Sequence, residues 1–589
     1  MKIEYVKIKN WRSIIELEFY FHDINILIGQ NNHGKSNILS ALLYFFGHIR
    51  HNVLDFNNKS ESINIEVIFS DLNEDDKRKF KKYLTTDGKI KVLKQGLSDG
   101  SFEYHGYLEV PDAEWLREEN ISNYTKREEA RELPLYDKLP ASGRITKDAF
   151  QAAQLAYIEE HREDITFNYT LETTNFLGLK SVAQGIFGEV YYIPAVKNAN
   201  DELAVKGNAT FGQLYSRVIS KLAQENRKYG EVKDGIIALI NLLNKKKENG
   251  LINRKRPRDI TLLESQIAEE MKAWKTIIEI EVDPPEMDDI IKSGTKVWVD
   301  DGIRTDINRK GHGLQRALIF ALMKSWSKII KEDHLSAERE SGLRSASDSI
   351  YFILEEPELY LHPQAQKELY ESLKSISKSE AQIVLSTHSS FFIDLKYYKS
   401  IVIVNKKDIS TGTKILQYTE DLFTATEEQK SFNMAYWINP DRGELFFAKK
   451  VILVEGQTEK TLIPFLAKKL GVYKHEYTLI DCATKDNIPS YINLLNKFKI
   501  NYTAVYDKDH QSYKSREGKT SADNSSKRIE DKVDNAIGNT VKMINDIEEE
   551  IGIRDRSRKN KPYAALNHIS RDSYTVTNKL KNKIKKIYK

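Results

Sequence analysis

A phosphate-binding loop near the start of the chain constrains the fold more than any other feature of the sequence. An apolar run at 24–28 predicts a strand, GQNNHGKS follows at Gly29 to Ser36, and NILSALLYFF has the apolar spacing of a helix. In a GxxxxGK(S/T) loop the backbone amides surround the phosphates of a nucleotide, Lys35 reaches the outer phosphates, and Ser36 offers its hydroxyl to magnesium. The nucleotide-binding residues predicted here are Gly29, Asn32, Gly34, Lys35, Ser36 and Asn37.

Two later strands carry the groups that ATP hydrolysis needs. The apolar run YFIL ends in Glu355 and Glu356, so we expect Glu355 to hold the magnesium and Glu356 to polarise the attacking water. A further apolar run, QIVLSTHS, ends near His388, which is placed to sense the terminal phosphate. The structural alternative is a buried strand followed by an acidic helix start. With the phosphate loop upstream, the pattern favours an ATPase.

The segment RKGHGLQRALIFALMK lies between these motifs. Gly311 and Gly313 precede an amphipathic helix whose start could cap the phosphates of a nucleotide bound by a second subunit. An ordinary helix entered through a flexible loop explains the same residues equally well.

In this order, GQNNHGKS, GHGLQRA, YFILEEPELYLHP and VLSTHS resemble the nucleotide-binding motifs of the ABC ATPases, particularly the SMC-like branch. The resemblance implies an α/β ATPase head made of residues 1–205 and 276–425, with two heads enclosing ATP. It also implies a helical dimerisation arm at 206–275, for which a lid on the same subunit is the alternative. His312 departs from the usual serine-glycine-glycine start of the signature loop.

Charged segments occupy much of the remaining amino-terminal half. Residues 70–190 include KRKFKKYL and WLREENISNYTKREEARELP, which we interpret as solvated helical faces. The basic cluster Arg254, Lys255, Arg256 and Arg258 either contacts a phosphate backbone or is solvated.

A second group of carboxylates begins after residue 440. Glu455 ends the apolar strand at 450–454, and Glu459 follows one helical turn later. A second strand, at 502–506, ends in Asp507 and Asp509, which point to the same side because strand side chains alternate. Four carboxylates at neighbouring strand ends repel one another without cations, and oxygen ligands suit Mg²⁺ or Mn²⁺ better than zinc.

This EGxxE motif followed by DxD resembles the Toprim domain, placed at 440–589. An SMC-like ATPase followed by Toprim is the arrangement of the OLD (overcoming lysogenization defect) family, which includes the nuclease subunit of Gabija defence systems. The family implies further metal-site residues at Asp546 and Glu548, and a lysine beside the scissile phosphate at Lys561. One cysteine, Cys482, cannot build the zinc module of a primase, and the 80 residues after Asp509 leave little room for a topoisomerase cleavage domain.

The leading hypothesis is therefore an ATP-regulated DNA endonuclease that hydrolyses phosphodiesters with two Mg²⁺ or Mn²⁺ ions and assembles as a homodimer or larger. An anti-phage role and a second component encoded nearby are implied by the family. The alternative is an SMC-like DNA-binding scaffold ATPase whose Toprim domain does not cut. The net charge of only +4 requires any DNA site to be local. No apolar stretch is long enough to span a membrane, and we expect a cytoplasmic protein.

Overall fold

A computed structural model describes most of the chain. The described residues are 1–162, 164–172, 174–178, 186–195, 226–246, 252–272, 278–282, 290, 295, 298–315, 317–318, 321, 349–379, 381–408, 410–421, 440–553 and 561–589. They form two compact units: Met1–Tyr191 with Glu340–Glu358 and Pro363–Lys589, and Tyr192–Arg339 with Leu359–His362. In the described part of the chain, no helix is long and apolar enough to cross a membrane.

The first unit contains a mostly parallel sheet that carries the phosphate loop. Its order is β14-β13-β3-β12-β11-β8, and all its neighbours with a described register are parallel except β13 and β14. The strands are β3 (Ile24–Ile28), β8 (Glu189–Ile193), β11 (Ile350–Glu355), β12 (Gln382–Ser386), β13 (Ile401–Asn405) and β14 (Lys414–Gln417). Residues in β3 and β12 are all buried, as expected for central parallel strands that are covered on both faces.

An antiparallel sheet in the same unit has the order β2-β1-β4-β5-β6-β7. Its strands are β1 (Lys2–Trp11), β2 (Ile14–Tyr20), β4 (Ile63–Ser70), β5 (Ile90–Gly96), β6 (Phe102–Pro111) and β7 (Phe167–Leu171). The helices of this region are α1 (Lys35–Phe45), α2 (Glu74–Lys79), α3 (Arg127–Ala130) and α4 (Lys147–Glu160).

The interpretation of KRKFKKYL and WLREENISNYTKREEARELP as solvated helical faces is wrong for their apolar residues, and residues 70–190 also contain strands that were not predicted. Strands β5, β6 and β7 run through this range, and Phe80 and Tyr83 of the KRKFKKYL segment are almost fully buried. Leu116, Ile121 and Ala130 of the second segment belong to a separate apolar cluster. Phe80 and Tyr83 are buried by contacts with Phe176, about ninety residues later, whereas the second segment packs within residues 113–165.

The second unit contains two described helices, α5 (Arg227–Leu243) and α6 (Arg258–Glu270), and a hairpin of β9 (Trp298–Asp300) and β10 (Arg304–Asp306). Arg256, which the sequence offered for phosphate contact or solvent, does neither. Its guanidinium donates 2.7 Å hydrogen bonds to both carboxylate oxygens of Glu264 and further bonds to the carbonyls of Leu243 and Ile280. Arg256 therefore stabilises the junction of the two helices.

After residue 440 a four-stranded parallel sheet has the order β16-β15-β17-β18. Its strands are β15 (Lys450–Val454), β16 (Tyr477–Asp481), β17 (Tyr502–Asp507) and β18 (Gly538–Met543). The helices in the order of the chain are α7 (Pro363–Ser379), which precedes this sheet, and then α8 (Gln457–Lys469), α9 (Ile488–Lys497), α10 (Arg516–Lys532), α11 (Ile547–Glu550), α12 (Lys561–Ile569) and α13 (Asn578–Ile587). Helices α8, α12 and α13 contribute to one apolar core with β15, β17 and β18. This packing brings the carboxyl ends of β15 and β17 together.

Candidate functional site

Lys35 is the first residue of α1, and its ammonium group reaches back to the carbonyl groups that follow β3. Lys35 Nζ donates to the carbonyls of Gly29 at 2.9 Å and Gln30 at 3.1 Å, and lies 2.9 Å from His388 Nε2. Burial lowers the pKa of Lys35, and burial together with the nearby lysine lowers the pKa of His388. A neutral imidazole that accepts from the ammonium fits this contact, because lysine has donors only. The two residues that the sequence assigned to the terminal phosphate are therefore in direct contact.

The predicted carboxylates stand opposite the loop. Ser36 Oγ donates a hydrogen bond to Glu355, which ends β11, so the two expected magnesium ligands are adjacent. Glu356 has a positive φ of 44° and its carboxylate lies 3.7 Å from His388 Nε2. Such a backbone conformation is uncommon for residues other than glycine, and it is typical of sites where a side chain is held in a fixed direction.

A third carboxylate, Glu358, was not predicted. Its side chain is buried, and Oε1 accepts a 2.7 Å hydrogen bond from the backbone N–H of His388. Burial raises the pKa of Glu358. The available signal was the third glutamate of EEPE, which lies two residues after the pair. Its carboxylate positions His388, the residue that the sequence assigned to the terminal phosphate.

Gly34 and Asn37 also have structural partners. Gly34 has a φ of 103° and packs against the side chain of Thr413, so a Cβ there would clash. Asn37 Nδ2 donates to Ser13 Oγ at 2.7 Å, and Ser13 and Thr413 share a 2.7 Å hydrogen bond. Asn32 is exposed with a φ of 64°. The contacts of Gly34 and Asn37 connect the loop to Thr413, just before β14, and to Ser13, just before β2.

Gly311 and Gly313 lie in the second unit. Their helix entry is closed by Gln315, whose side chain donates to the carbonyls of Ile307 at 3.0 Å and Lys310 at 2.9 Å. The expected contact with a nucleotide on another subunit stays a prediction.

The second site is built at the carboxyl edge of the Toprim sheet. Glu455 directly follows β15, and Glu459 lies in the first turn of α8, where its Oε2 accepts a 3.1 Å bond from the N–H of Gly456. Glu455 Oε1 accepts a 2.6 Å bond from the backbone N–H of Asp507, the last residue of β17. Strands β15 and β17 are parallel neighbours, which is why the two motifs meet although some fifty residues separate them.

Burial and mutual repulsion perturb these carboxylates. Burial raises the pKa of Glu455 to about 7, with the charge of Asp509 adding to the rise. Burial raises the pKa of Glu459 to about 8, helped by the charges of Glu455 and Glu548. The pKa of Asp507 also rises, first through burial and then through the charges of Glu459 and Glu455. Raised carboxylate pKa values in a cleft indicate a site that is incomplete without positive charge.

Asp509 is neutralised by two lysines that differ in burial. Lys514 Nζ donates to Asp509 Oδ1 at 2.7 Å, and Lys485 Nζ lies 3.6 Å from Asp509 Oδ2. Lys485 is only 7% exposed and also donates to the carbonyl oxygen of Asp507. Sequence reasoning missed Lys485. It could have been found by extending the strand-end argument to β16, because the loop after that strand opens onto the same edge of the sheet.

The family resemblance suggested Asp546, Glu548 and Lys561, and these residues differ in how they interact with the carboxylates at this edge. Asp546 caps α11 by accepting from Glu549 N at 2.8 Å, and its other oxygen accepts from Gln511 at 2.9 Å. Glu548 lies 3.7 Å from Lys561 Nζ, and its charge reaches Glu459. Asp546 acts on Asp507 only through its charge.

The carboxylate oxygens at this edge suit a hard divalent cation, but the side chains are not arranged as its ligands. Asp507 Oδ1 is buried and has no hydrogen-bond partner among the described atoms. As they stand, no three His, Cys, Asp or Glu side chains in the described ranges are grouped so that they could hold a metal ion. The reason is local: Glu455 and Glu459 are turned to backbone N–H groups and Asp509 to lysines. Rotation of these side chains would be needed for metal binding.

The fold and its two sites define a P-loop ATPase joined to a Toprim-type α/β domain. The chain belongs to the family described as AAA ATPase domain, which matches residues 1–393. Residues 446–509 match the description "Overcoming lysogenization defect protein-like, TOPRIM domain". The resemblance to the OLD arrangement and the expected α/β fold with an ATPase followed by Toprim are thereby confirmed.

Three named proteins are similar to this chain. The "Old nuclease" of Escherichia phage P2 is 25% identical over 480 residues, covering 80% of this chain and 70% of that protein. The "OLD nuclease" of Thermus scotoductus is 30% identical over 160 residues, or 27% of this chain and 30% of that protein. The "Endonuclease GajA" of Bacillus cereus is 28% identical over 152 residues, or 23% and 22%.

Solved SMC heads are also similar to this chain. An SMC head bound to the C-winged helix domain of ScpA covers 71% of this chain and 98% of the solved chain, at 12% identity and a TM-score of 0.33. The SMC head domain from Thermotoga maritima covers 71% and 99%, at 12% identity and a TM-score of 0.28.

Proposed function

We propose that this protein is a DNA endonuclease whose cleavage depends on divalent metal and is controlled by ATP. The supporting observation is the convergence of Glu455, Glu459 and Asp507 at one sheet edge, with Asp507 Oδ1 buried and unpartnered. Leaving a buried polar group unsatisfied costs about 1–3 kcal/mol, so such a group persists where function requires it. Three proteins with nuclease names are similar to this chain, and one of them matches 80% of its length.

Each acidic residue has a distinct proposed role. Glu455, Asp507 and Asp509 would hold one cation, while Glu459 and Glu548, with Asp546 behind them, would hold a second. Divalent cations bound there would supply Lewis-acid stabilisation of the charge that develops on the phosphate. Lys561 lies 3.7 Å from Glu548, close enough to place its ammonium beside a phosphate oxygen once a cation takes over that carboxylate.

The ATPase half would act as a nucleotide-dependent control. The phosphate loop holds Lys35 on its own carbonyls and on His388, and a bound terminal phosphate offers stronger charge-assisted contacts for the same ammonium. Glu355 with Ser36 would bind magnesium, and Glu356 would orient the water for hydrolysis. Dimerisation through residues 206–275, with Gly311 and Gly313 completing the partner's nucleotide site, belongs to the same proposal, as does a role in anti-phage defence with a second component.

The test is cleavage of supercoiled plasmid with Mg²⁺ or Mn²⁺, with and without ATP. Asp507→Ala and Glu455→Ala should lose cleavage and retain ATP binding, measured by a fluorescent nucleotide analogue. Asp481→Asn is the matched control, because Asp481 ends β16 at the same edge and is equally buried but is hydrogen-bonded by Gln457 and Ala483. Undiminished cleavage by a doubly substituted Glu455 and Asp507 variant would refute the assignment.

One observation favours a second function, a DNA-binding scaffold ATPase whose Toprim domain does not cut. Lys485 and Lys514 already neutralise Asp509, and the described carboxylates do not form a ready ligand set. Under that function DNA binding persists without nicking under any metal, and Asp507→Ala changes neither binding nor ATP hydrolysis.

A further inference from the structure

A lysine-rich surface lies at the amino edge of the Toprim sheet, away from the carboxylates. Lys468 lies in the last turn of α8, Lys585 and Lys586 lie in the last turn of α13, and Lys474 lies in the loop before β16. We call these four lysines the amino-edge patch. A surface cavity of about 600 Å³ opens between Lys474 and the end of α13, and no Asp or Glu lines it among the described residues.

Aromatic side chains position Lys468 and Lys474, while Lys586 Nζ donates to the carbonyl of Thr540 at 3.0 Å. Lys474 Nζ donates to Tyr477 Oη at 3.0 Å, and the ring of Tyr477 stacks on Tyr588 with the planes 7° apart. Lys468 Nζ lies 4.9 Å from the centre of the Tyr473 ring. Cation–π contacts hold an ammonium group without neutralising it, so the positive charge stays available to a partner.

Two acidic side chains of this domain are already paired with other lysines. Glu476, next to Tyr477, accepts from Lys449 at 3.0 Å, and Glu550 accepts from Lys583 of α13. None of the four patch lysines makes an ion pair with a described carboxylate. In a chain with 90 cationic and 86 acidic residues, a group of lysines without counter-charges is a local field that the overall charge of +4 conceals.

Favourable interaction with helix dipoles explains why some of these lysines stand at helix ends, but it does not neutralise their positive charge. Two helices finish here, and lysines in a last turn gain about 0.3–1 kcal/mol from the helix dipole. That effect does not require Lys474, which belongs to no helix. Helix α13 is also firmly packed, with Leu580, Ile584 and Ile587 fully buried, so the basic end of the chain is a fixed surface and not a frayed tail.

We propose that the amino-edge patch binds the phosphate backbone of the DNA substrate, outside the reaction centre. This inference rests on the proposed function, since it takes DNA as the substrate. Glu459 and Lys468 are nine residues apart on α8, which separates the patch from the carboxylates by about 14 Å along the helix. Contacts at the patch therefore add affinity and register without touching the phosphate that is cut, and they read no base sequence.

The test compares two matched double variants in the full-length protein. Lys468→Gln/Lys585→Gln removes two patch charges at exposed helix positions, and Lys527→Gln/Lys532→Gln removes two exposed charges from α10 of the same domain. Binding of a fluorescent short duplex is measured by anisotropy in EDTA over a series of KCl concentrations. The patch variant should bind about tenfold more weakly, and its slope of log K against log salt should be smaller by about 2, while the α10 control matches wild type.

Cleavage kinetics separate this proposal from the nuclease assignment. The patch variant should have a raised KM with an unchanged kcat, because its carboxylates are intact. Equal affinity and equal salt slope for wild type and the patch variant would overturn the patch, as would absence of DNA binding by wild type. Normal patch-dependent binding in a protein that never cuts DNA would leave the patch standing and remove the nuclease.

Discussion

Asp507→Asn should be more stable than wild type without metal and less stable than wild type with metal. Asp507 is 8% exposed, its Oδ1 has no partner, and the charges of Glu459 and Glu455 oppose its ionisation. The amide keeps the shape, removes the charge and offers a donor to the neighbouring carboxylates. Relief of an unsatisfied buried group is worth about 1–3 kcal/mol, so the metal-free variant should be more stable than metal-free wild type.

The assay is thermal unfolding at about pH 8, where Glu455, with a pKa of about 7, is largely ionised and Glu459, with a pKa of about 8, is about half ionised. A change of 1 kcal/mol moves Tm by about 2–4 °C in domains of about 150–250 residues, so the metal-free variant should melt roughly 2–12 °C higher. Mg²⁺ or Mn²⁺ at a thousand times its Kd adds about 4.1 kcal/mol to wild type. The variant lacks one ligand and should gain much less, so wild type becomes the more stable form.

The decisive result is that the order of the Tm values of wild type and Asp507→Asn reverses when metal is added. Asp481→Asn is the control, since Asp481 is similarly buried at the same sheet edge with both oxygens bonded. It should not gain stability without metal, and it should keep the stabilisation by metal. Equal metal stabilisation of wild type and Asp507→Asn, or a metal-free variant less stable than wild type, would refute the reasoning.

Three further outcomes are expected. Lys485→Met should lower cleavage about 10–100-fold and raise the metal requirement, because this buried lysine orients Asp507 by donating to its backbone carbonyl; Lys485→Arg should restore part of the activity. Lys514→Met should have less effect. Equal cleavage kinetics for the two Met variants would contradict this role of Lys485. Burial lowers the pKa of Lys94 to about 7 from the value of 10.5 in the unfolded chain. Between these two pH values the unfolded chain binds one proton more than the folded protein, so the free energy of unfolding rises by about 1.4 kcal/mol per pH unit. Lys94→Met should remove that rise in denaturant titrations, and an unchanged pH slope would contradict the lowered pKa. Gly34→Ala should abolish ATP binding measured by fluorescence, because φ is 103° and the new Cβ meets Thr413; normal nucleotide affinity would disprove the constraint.

Local motifs were readable because their chemistry depends on consecutive residues. The loop from Gly29 to Ser36 and the strand end at Glu455 each combine an apolar strand, a turn and a helix start within a few positions, and periodicity reports such units directly. The rule that parallel strands end at one sheet edge then predicted that Glu455 would lie near Asp507. The family resemblance extended this reasoning to Asp546, Glu548 and Lys561, whose catalytic roles stay predictions.

Contacts between distant segments were decided only by the tertiary structure. Strands β5 and β6 were not predicted, because β5 depends on pairing with β4 and β6 on pairing with β5. The burial of Lys485, the pairing of Arg256 with Glu264, and the support of His388 by Glu358 have the same origin. The sequence by itself determined which residues could do chemistry, since that depends on side-chain type and local backbone. Tertiary packing determined which of them are dehydrated, paired or left with free charge, because desolvation and Coulomb energies depend on neighbours that periodicity does not encode.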